Sequence, residues 1–328
     1  MPAADGGLVA SVIDVGSNSV LLLTVAVSGG RARQIDAALA TTQLGTGLSP
    51  GRPLDRVAAG RTGEAVVAFA RRARALGARF VWAFATGAAR TAADGAAFVQ
   101  ALALRAGCPI ALLSGRDEAR FAWEAVAAGA GAGASQLLAV DVGGATTELT
   151  RGEDGAVVAA VSLPIGALVL TERHVGDDPP SAGDVARVAR AIAAALTEVA
   201  PLRVDAPAPR VVASGGTASA LAAIDLDLAA YDPARVHGHA IGRDRLAALC
   251  AMLWGMSLAE RTRRTALDAG RARILPAGAA ILDAVLASSG AAALVISDHG
   301  VRHALLRSRL AGAGVPCDLG ALWEPTGG

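Results

Sequence analysis

The sequence contains one short pattern twice, as Asp14-Val15-Gly16-Ser17-Asn18-Ser19 and as Asp141-Val142-Gly143-Gly144-Ala145-Thr146-Thr147. Each copy follows an apolar run that is typical of a buried strand, and each places a carboxylate at the end of that strand. The glycine permits a tight turn, and the small residues after it have backbone N–H groups that can face an anion. The repeat therefore predicts a chain built from two like halves, with a phosphate-binding turn in each.

A third glycine turn, Ser214-Gly215-Gly216-Thr217, follows the predicted strand Arg210–Ser214. A single glycine turn after a strand is a weak signal, because such turns are common in proteins. Three of them, two of which are preceded by an aspartate, form a more specific pattern. The residues predicted to bind phosphate are Gly16, Ser17, Asn18, Ser19, Gly143, Gly144, Ala145, Thr146, Gly215, Gly216 and Thr217.

Three carboxylates accompany the repeated turns. Asp14 and Asp141 end the strands that lead into them, and Glu148 follows Asp141 on the predicted returning strand. Carboxylate oxygens are the ligands that hard divalent cations prefer, and Mg²⁺ retains several waters while it bridges phosphate oxygens. Asp14, Asp141 and Glu148 therefore predict a Mg²⁺ site, with Mn²⁺ as the alternative metal.

The basic residues exclude two classes of enzyme. The chain has no lysine, and all 30 of its basic residues are arginine. A Walker-type phosphate loop needs Gly-Lys-Ser/Thr, and a Schiff-base enzyme needs a lysine amine.

The net charge of +1 predicts no nucleic-acid partner. The three cysteines are scattered, which argues against a disulfide framework or a thiolate metal site.

The distribution of apolar residues predicts the cellular location of the protein. No run of about 18 or more strongly apolar residues occurs. The first seven residues lack the basic start and apolar stretch of a signal peptide. We therefore expect a cytoplasmic protein with no membrane partner.

The length of 328 residues predicts two domains of about 150 residues each. Strands that alternate with helices in both halves indicate an α/β fold. We expect an N-terminal domain over 1–130, a C-terminal domain over 131–310 with a helical insertion, and a C-terminal tail over 311–328. The boundary falls in the small-residue stretch Ala128–Ala134, which is typical of a linker.

Six stretches match the pattern of a known family, in the family's order and over nearly the whole chain. They are Ile13-Asp-Val-Gly-Ser-Asn-Ser-Val20, Ala85-Thr-Gly-Ala-Ala-Arg90, Leu113-Ser-Gly-Arg-Asp-Glu-Ala-Arg120, Val140-Asp-Val-Gly-Gly-Ala-Thr-Thr-Glu148, Ala213-Ser-Gly-Gly-Thr217 and Ile274-Leu-Pro-Ala-Gly278. The chain resembles the actin, Hsp70 and sugar-kinase superfamily of duplicated ribonuclease-H-like (actin-like ATPase) domains. Within it, the chain is most similar to the short, two-domain form of the exopolyphosphatase and guanosine pentaphosphate phosphohydrolase (Ppx/GppA) family.

This resemblance implies two duplicated domains with an interdomain cleft that holds the active site. It implies a hydrolase that releases terminal orthophosphate from inorganic polyphosphate or from guanosine pentaphosphate, with the tetraphosphate as a related ligand. It also allows a homodimer. The segment Ser114-Gly-Arg-Asp-Glu-Ala119 separates this branch from the kinases of the superfamily.

The resemblance also assigns catalytic roles. Glu118 matches the family's catalytic base. That role suits the chemistry, because phosphoanhydride hydrolysis needs a carboxylate that orients and deprotonates an attacking water. The charge of the transition state needs electrostatic support, for which Arg90 is the first candidate and Arg116 the second.

Four positions depart from the family's pattern. Leu21 and Val169 stand where the family commonly has a basic residue, Gln43 replaces the first residue of its common Arg-Leu-Gly-Glu-Gly, and Ala145 replaces the third glycine of the second turn. These losses weaken the expectation that the chain binds a long polyanion, so polyphosphate and guanosine pentaphosphate both stay open. The other arginines that can supply charge are Arg120, Arg173, Arg271 and Arg273.

Two other functions stay open on the sequence. An ATP-dependent sugar or acid kinase of the same superfamily would have the same fold and phosphate-binding turns. A non-catalytic sensor of phosphate or nucleotides would also have the fold, and the missing basic residues motivate that alternative.

Overall fold

The computed structural model describes residues 7–128, 136–197, 208–265 and 267–319. The chain divides into two compact units. The first comprises Met1–Ser114 and Val301–Gly328, and the second comprises Gly115–Gly300. Each unit contains one sheet together with helices, which confirms the predicted α/β class.

The first unit contains a five-stranded sheet in the order β3-β2-β1-β4-β5. Strand β1 pairs antiparallel with β2 and parallel with β4, so the N-terminal meander is extended by a parallel strand. The strands are β1 (Leu8–Val15), β2 (Ser19–Ser28), β3 (Arg31–Thr41), β4 (Phe80–Ala85) and β5 (Ile110–Leu112). The helices are α1 (Arg56–Ala75), α2 (Gly87–Thr91), α3 (Gly95–Ala106) and α12 (Val301–Gly312).

Helix α1 illustrates why these sequences form these elements. Its N-terminus is capped by the Asp55 side chain, which accepts a hydrogen bond from the Ala58 N–H at 2.8 Å. Its buried face recurs at helical spacing through Val66, Ala70 and Ala73, and it packs on the sheet. The sequence pattern predicts this helix over Leu54–Leu76, and the structure confirms it.

The second unit contains a six-stranded sheet in the order β10-β11-β9-β6-β7-β8. Its strands are β6 (Gln136–Val142), β7 (Thr147–Glu153), β8 (Ala156–Leu163), β9 (Arg210–Ser214), β10 (Ala240–Gly242) and β11 (Ala293–Ile296). Its helices are α4 (Gly115–Ala127), α5 (Ala167–His174), α6 (Ala182–Thr197), α7 (Gly216–Asp225), α8 (Pro233–Val236), α9 (Arg243–Trp254), α10 (Leu258–Thr265) and α11 (Ala269–Ser289).

The two sheets share one topology. In each, three consecutive strands form an antiparallel meander, β1-β2-β3 in the first unit and β6-β7-β8 in the second. In each, the first strand of the meander also pairs in parallel with a later strand, β4 or β9. The predicted duplication is therefore confirmed in the backbone, and helices α9 to α11 form the predicted helical insertion.

The boundary between the units differs from the predicted one at residue 130. Helix α4 packs on β6, β7, β8 and β9, so it belongs to the second unit and the division falls after Ser114. Residues 129–134 of the predicted linker lie outside the described residues.

The C-terminal limit also differs from the predicted domain end at residue 310. Helix α12 packs on β1, so it belongs to the first unit. After it, Asp318 forms an isolated parallel bridge with Arg31 at the start of β3. The predicted tail over 311–328 thus begins within this unit, and its residues 320–328 lie outside the described part.

Helix α11 is the long central helix of the second unit. It is long and apolar enough to cross a bilayer by length and composition, but 61% of its apolar window is buried within the protein. It packs on α5, α6, α7, α9 and α10. Its apolar character is therefore explained by its place in the core.

A buried aspartate organises the start of α6. The Asp184 carboxylate accepts hydrogen bonds from the N–H groups of Gly176 at 3.1 Å and Ser181 at 2.9 Å, and from Arg187. Backbone hydrogen bonds, foremost that from Ser181, hold the pKa of Asp184 well below its ordinary value. The ionised form is therefore the one that stabilises this loop.

We expect Asp184→Ala to lower the thermal unfolding temperature by several degrees at pH 7, because five backbone and side-chain donors lose their acceptor. The depressed pKa makes this stabilisation fully present above about pH 4 and lost as the pH falls further. Calorimetric melting from pH 7 to pH 3 measures it. Asp177→Ala, an exposed control in the same loop, should leave the melting temperature nearly unchanged. Equal effects of the two variants would contradict this interpretation.

Candidate functional site

The two repeated turns close in the same way. The Gly16 N–H donates to the Ser19 carbonyl at 3.0 Å, and the Gly143 N–H donates to the Thr146 carbonyl at 2.9 Å. A Cβ added to either glycine would lie 3.0 Å from that same carbonyl oxygen. Glycine is therefore required by a close backbone approach at both positions, and the sequence repeat corresponds to a repeat in geometry.

The carbonyl groups of the second turn are held from behind by helix α5. The N–H groups of Ala167 and Leu168, in its first turn, donate to the carbonyls of Gly143 and Gly144 at 2.9 Å each. In a trans peptide the C=O and the following N–H point in opposite directions. The N–H groups of Gly144 and Ala145 are therefore directed away from α5, as an anion-binding turn requires.

The first turn has an equivalent support made from a loop. The Ser17 carbonyl accepts from the Gly45 N–H at 2.8 Å, and the Asn18 carbonyl accepts from the Gln43 N–H at 2.8 Å. The N–H groups of Asn18 and Ser19 consequently point away from that loop. Gln43 adopts a positive φ of 53° to make this contact, a conformation uncommon outside glycine.

The side chains of the first turn have different roles. The Ser17 hydroxyl accepts a hydrogen bond from the Ala88 N–H at 2.9 Å, so it supports the start of α2. The Asn18 amide donates to the Ser19 hydroxyl at 3.2 Å. The Asn18 Oδ1 atom is buried and has no hydrogen-bond partner within the described ranges. Asn18 thus leaves an acceptor available at this turn.

Arg90, the predicted electrostatic catalyst, lies on α2 in the first unit. Its Nη1 donates to the Leu113 carbonyl at 3.2 Å, and it is partly exposed. Because Ser17 supports the same short helix, Arg90 and the first turn are fixed to one another within this unit.

The third turn contacts Asp141, the aspartate that leads into the second turn. Gly215 has a φ of +92°, and a Cβ added there would lie 2.6 Å from Asp141 Oδ1 and 3.2 Å from the Val142 carbonyl oxygen. Asp141 is also in register with Ser214, whose buried hydroxyl has no hydrogen-bond partner among the described residues. The Asp141 carboxylate therefore lies directly against the third turn.

Helix α11 brings an arginine to the third turn. Arg271 Nη2 lies 3.5 Å from the Gly216 carbonyl oxygen. Gly278 lies further along the same helix. A Cβ added to it would lie 2.4 Å from the Thr217 hydroxyl oxygen, so this turn packs tightly on α11. The sequence placed Arg271 among four alternatives, and the structure puts it at the site. Arg120, another of the four, pairs with Glu124 on the surface of α4.

Glu148 lies in a row of polar residues across the second sheet. Asp141 is in register with Glu148, and Glu148 is in register with Ser162. The Glu148 side chain is only 2% exposed, and its Oε1 accepts a hydrogen bond from the Ser162 hydroxyl at 2.6 Å. A buried carboxylate at this point needs compensation, because burial penalises its charge.

The carboxylate of Glu148 interacts with those of Glu118 and Asp141. Burial raises the pKa of Glu148 well above its ordinary value, and the charges of Glu118 and Asp141 raise it further. Glu118 is itself 7% exposed and reaches this group from the first turn of α4. The structure therefore brings together the predicted base and two of the predicted metal carboxylates within one unit.

The donor set fits a hydrated hard cation. In the described ranges, no three His, Cys, Asp or Glu side chains are placed to hold a metal ion by themselves. Mg²⁺ is usually held by one or two carboxylates, with waters and phosphate oxygens completing its shell. Asp141 and Glu148 match that requirement, and a cation would offset the mutual repulsion of the carboxylates.

The described residues of the first unit contain no counterpart of this carboxylate group at the same strand positions. Leu21 is in register with Asp14, where Glu148 is in register with Asp141. Asp14 thus ends β1 as predicted, but its neighbour across β2 is apolar. The two halves share a backbone and differ in chemistry: the second unit carries Glu118, Asp141 and Glu148, and the first carries Arg90 and Asp14.

Val169, a second departure, is buried in α5 and its N–H donates to the Gly144 carbonyl at 3.1 Å. Its side chain is 5% exposed. This position therefore helps to pack the second turn and presents no charge.

The fold and these turns define a class: a duplicated, actin-like α/β protein with glycine turns and buried carboxylates suited to phosphate chemistry. The model of the "Ppx/GppA phosphatase family" matches residues 25–312. The chain belongs to this family, and the suspected resemblance is confirmed.

Similar proteins support this assignment. Exopolyphosphatase 1 of Mycobacterium tuberculosis is 29% identical over 301 residues, which cover 91% of this chain and 87% of that protein. Exopolyphosphatase 2 of the same organism is 29% identical over 307 residues, covering 89% and 95%. The crystal structure of the Aquifex aeolicus Ppx/GppA family member has a TM-score of 0.76 at 27% identity, covering 94% of this chain and 99% of that one.

A more distant structure shows the fold alone. The exopolyphosphatase of Cytophaga hutchinsonii has a TM-score of 0.84 at 19% identity and covers 94% of this chain and 99% of that one. The predicted actin-like fold is thus confirmed. The assignment to a family of hydrolases rests on the family model and on the Mycobacterium tuberculosis relatives.

We expect Gly215→Ala to disturb the Asp141 carboxylate, because the added methyl group would lie 2.6 Å from Oδ1. Gly155→Ala is the control, since Gly155 also has a positive φ, +84°, but has open space around it. Both variants should lose stability through the backbone, by about 1 kcal/mol. Only Gly215→Ala should also lose most of its rate of phosphate release from polyphosphate. Full activity in both would contradict the predicted contact.

We expect Glu148→Gln to raise the melting temperature in chelator at pH 8. The raised pKa means that the wild type loses stability as the pH rises from about 4, because folding must then accommodate a buried charge. Glutamine keeps an acceptor for Ser162 and has no charge. Melting curves from pH 5 to pH 8 should show a gap that widens with pH. Parallel curves would contradict the raised pKa.

Proposed function

We propose that this protein releases terminal orthophosphate from inorganic polyphosphate by metal-assisted hydrolysis. The observation that carries the proposal is the group of Glu118, Glu148 and Asp141, which interact in a buried part of the second unit beside two glycine turns. The names of the Mycobacterium tuberculosis relatives support the substrate, since both are exopolyphosphatases.

Phosphate oxygens would be bound by backbone donors. The N–H groups of Gly144 and Ala145 are directed away from α5, and the first residues of α7 leave N–H groups without intrahelical partners. Such donors need no lysine, which this chain lacks. Arg271, beside Gly216, would add positive charge at the third turn.

Asp141 and Glu148 would hold Mg²⁺, or Mn²⁺ as the alternative, and Asp14 stays a predicted metal carboxylate on the first unit. The chemistry supplied by such a cation is neutralisation of phosphate charge and stabilisation of the leaving oxygen. Asp141 would be oriented by the third turn, because its Oδ1 atom lies directly against Gly215.

Glu118 would act as the general base. A water oxygen attacks the terminal phosphorus, its proton passes to the Glu118 carboxylate, and the bridging P–O bond breaks. The shortened polyphosphate leaves with the bridging oxygen and with the electron pair of the broken P–O bond. Arg90 stays the proposed source of charge stabilisation from the first unit.

Guanosine pentaphosphate is the second substrate to test, because its terminal phosphoanhydride would undergo the same reaction. Leu21 and the buried Val169 favour a shorter anion, since neither supplies the charge that binds a long chain. The two substrates are therefore compared directly in the experiment below.

We expect Glu118→Gln to lower kcat for phosphate release from polyphosphate in Mg²⁺ by about 100-fold to 10,000-fold. Glu124→Gln is the matched control, because Glu124 lies on the same helix and pairs with Arg120 on the surface. It should retain the wild-type rate. The assay measures orthophosphate from long-chain polyphosphate and from guanosine pentaphosphate in parallel.

Three outcomes would overturn the proposal. Equal rates for wild type and Glu118→Gln would remove Glu118 as the base. Tight binding of either substrate with no turnover would indicate a sensor, and phosphate transfer from ATP to a sugar or acid would indicate a kinase.

A further inference from the structure

A hydroxyl group on the edge strand of the second sheet forms a hydrogen bond with Glu148, one of the three interacting carboxylates. Ser162 lies on β8, the last strand of the sheet order, and its Oγ donates to Glu148 Oε1 at 2.6 Å. This distance is typical of a charge-assisted hydrogen bond from a hydroxyl to a carboxylate. The contact is the contribution of β8 to the carboxylate group, and nothing in the reaction proposed above uses it.

Glu148 is under electrostatic strain that this hydrogen bond opposes. Glu118 and Asp141 both repel its charge, whereas the hydroxyl groups of Ser162 and Thr146 donate to it. Like charges favour rotation of a carboxylate away from its neighbours. The two hydroxyl donors instead hold the Glu148 carboxylate in one orientation.

The other half of the molecule provides an internal comparison. By strand register, Leu21 occupies in the first unit the place that Glu148 occupies in the second. The residue in register with Leu21 on β3 is Leu39, just as Ser162 is in register with Glu148 on β8. Where the carboxylate is absent from this duplicated meander, the hydroxyl is absent as well.

We propose that Ser162 is a positioning residue that fixes the Glu148 carboxylate for divalent-cation binding. The inference rests on the proposed function, in which Glu148 holds the metal. Groups that hydrogen-bond to metal ligands orient them, and their loss typically weakens metal affinity or activity by 10-fold to 100-fold. Ser162 itself touches neither the metal nor the substrate in this account.

The test measures metal binding directly. Free Mn²⁺ is followed by electron paramagnetic resonance during titration of the wild type, Ser162→Ala, Ser162→Thr and Glu148→Gln. Ser162→Ala should raise the Kd for Mn²⁺ by about 10-fold, within the range expected for such positioning groups. Ser162→Thr keeps the hydroxyl and should stay within about threefold of wild type, as a restored hydrogen bond requires.

Ser11→Ala is the matched control for a purely structural effect. The Ser11 hydroxyl makes a cross-strand hydrogen bond with Thr24 at 2.9 Å in the sheet of the first unit, so its removal has a comparable cost in stability. It should lower the melting temperature without changing the Kd for Mn²⁺. In phosphate-release assays, Ser162→Ala should need more Mg²⁺ for half-maximal rate and regain most of its kcat at saturating Mg²⁺.

The variants separate the two claims. If Glu148→Gln binds Mn²⁺ like the wild type, the metal assignment of Glu148 fails, and the role of Ser162 fails with it. If Glu148→Gln loses binding while Ser162→Ala does not, only the positioning role is overturned. Equal losses in Ser162→Ala and Ser162→Thr would also overturn it, because the threonine retains the donor.

Discussion

The hydrogen bonds behind the second glycine turn are the constraint on which the site depends. Three N–H groups of α5 donate to the carbonyls of Gly143 and Gly144, and the planar peptide then directs the following N–H groups the other way. Without these hydrogen bonds, the peptides of the turn could present either their C=O groups or their N–H groups to an anion. The helix therefore fixes the direction of these N–H groups, and the proposed binding of phosphate through the backbone needs no lysine, which this chain lacks.

The carboxylates impose the opposite demand on the same unit. Burial and the charges of Glu118 and Asp141 raise the pKa of Glu148, so its ionised form is costly for the folded protein. The fold meets this cost with local restraints: Gly215 leaves room for Asp141, and Ser162 holds Glu148. The proposed donors for phosphate and the proposed acceptors for metal thus lie on or next to neighbouring strands of one sheet.

Much of the fold could be read from the sequence, because strand alternation, helical spacing and the repeated turn are local signals. The turns, the carboxylates and α1 needed only short windows of sequence. The support of the turns could not be read in this way. Ser17 reaches Ala88 across 71 positions, and Arg271 reaches Gly216 across 55. Such contacts follow from packing, as does the membership of α4 in the second unit, and a window of local pattern contains neither.

The most direct test of this account is an NMR experiment on uniformly ¹⁵N-labelled Glu118→Gln protein titrated with pyrophosphate in Mg²⁺. Backbone donation to phosphate predicts large amide shift changes at Gly144, Ala145 and Gly216, with Gly155 in a distant hairpin unchanged. Pyrophosphate binding with those three amides unmoved would contradict it, because phosphate would then be held by side chains alone and the fixed turns would have no part in binding.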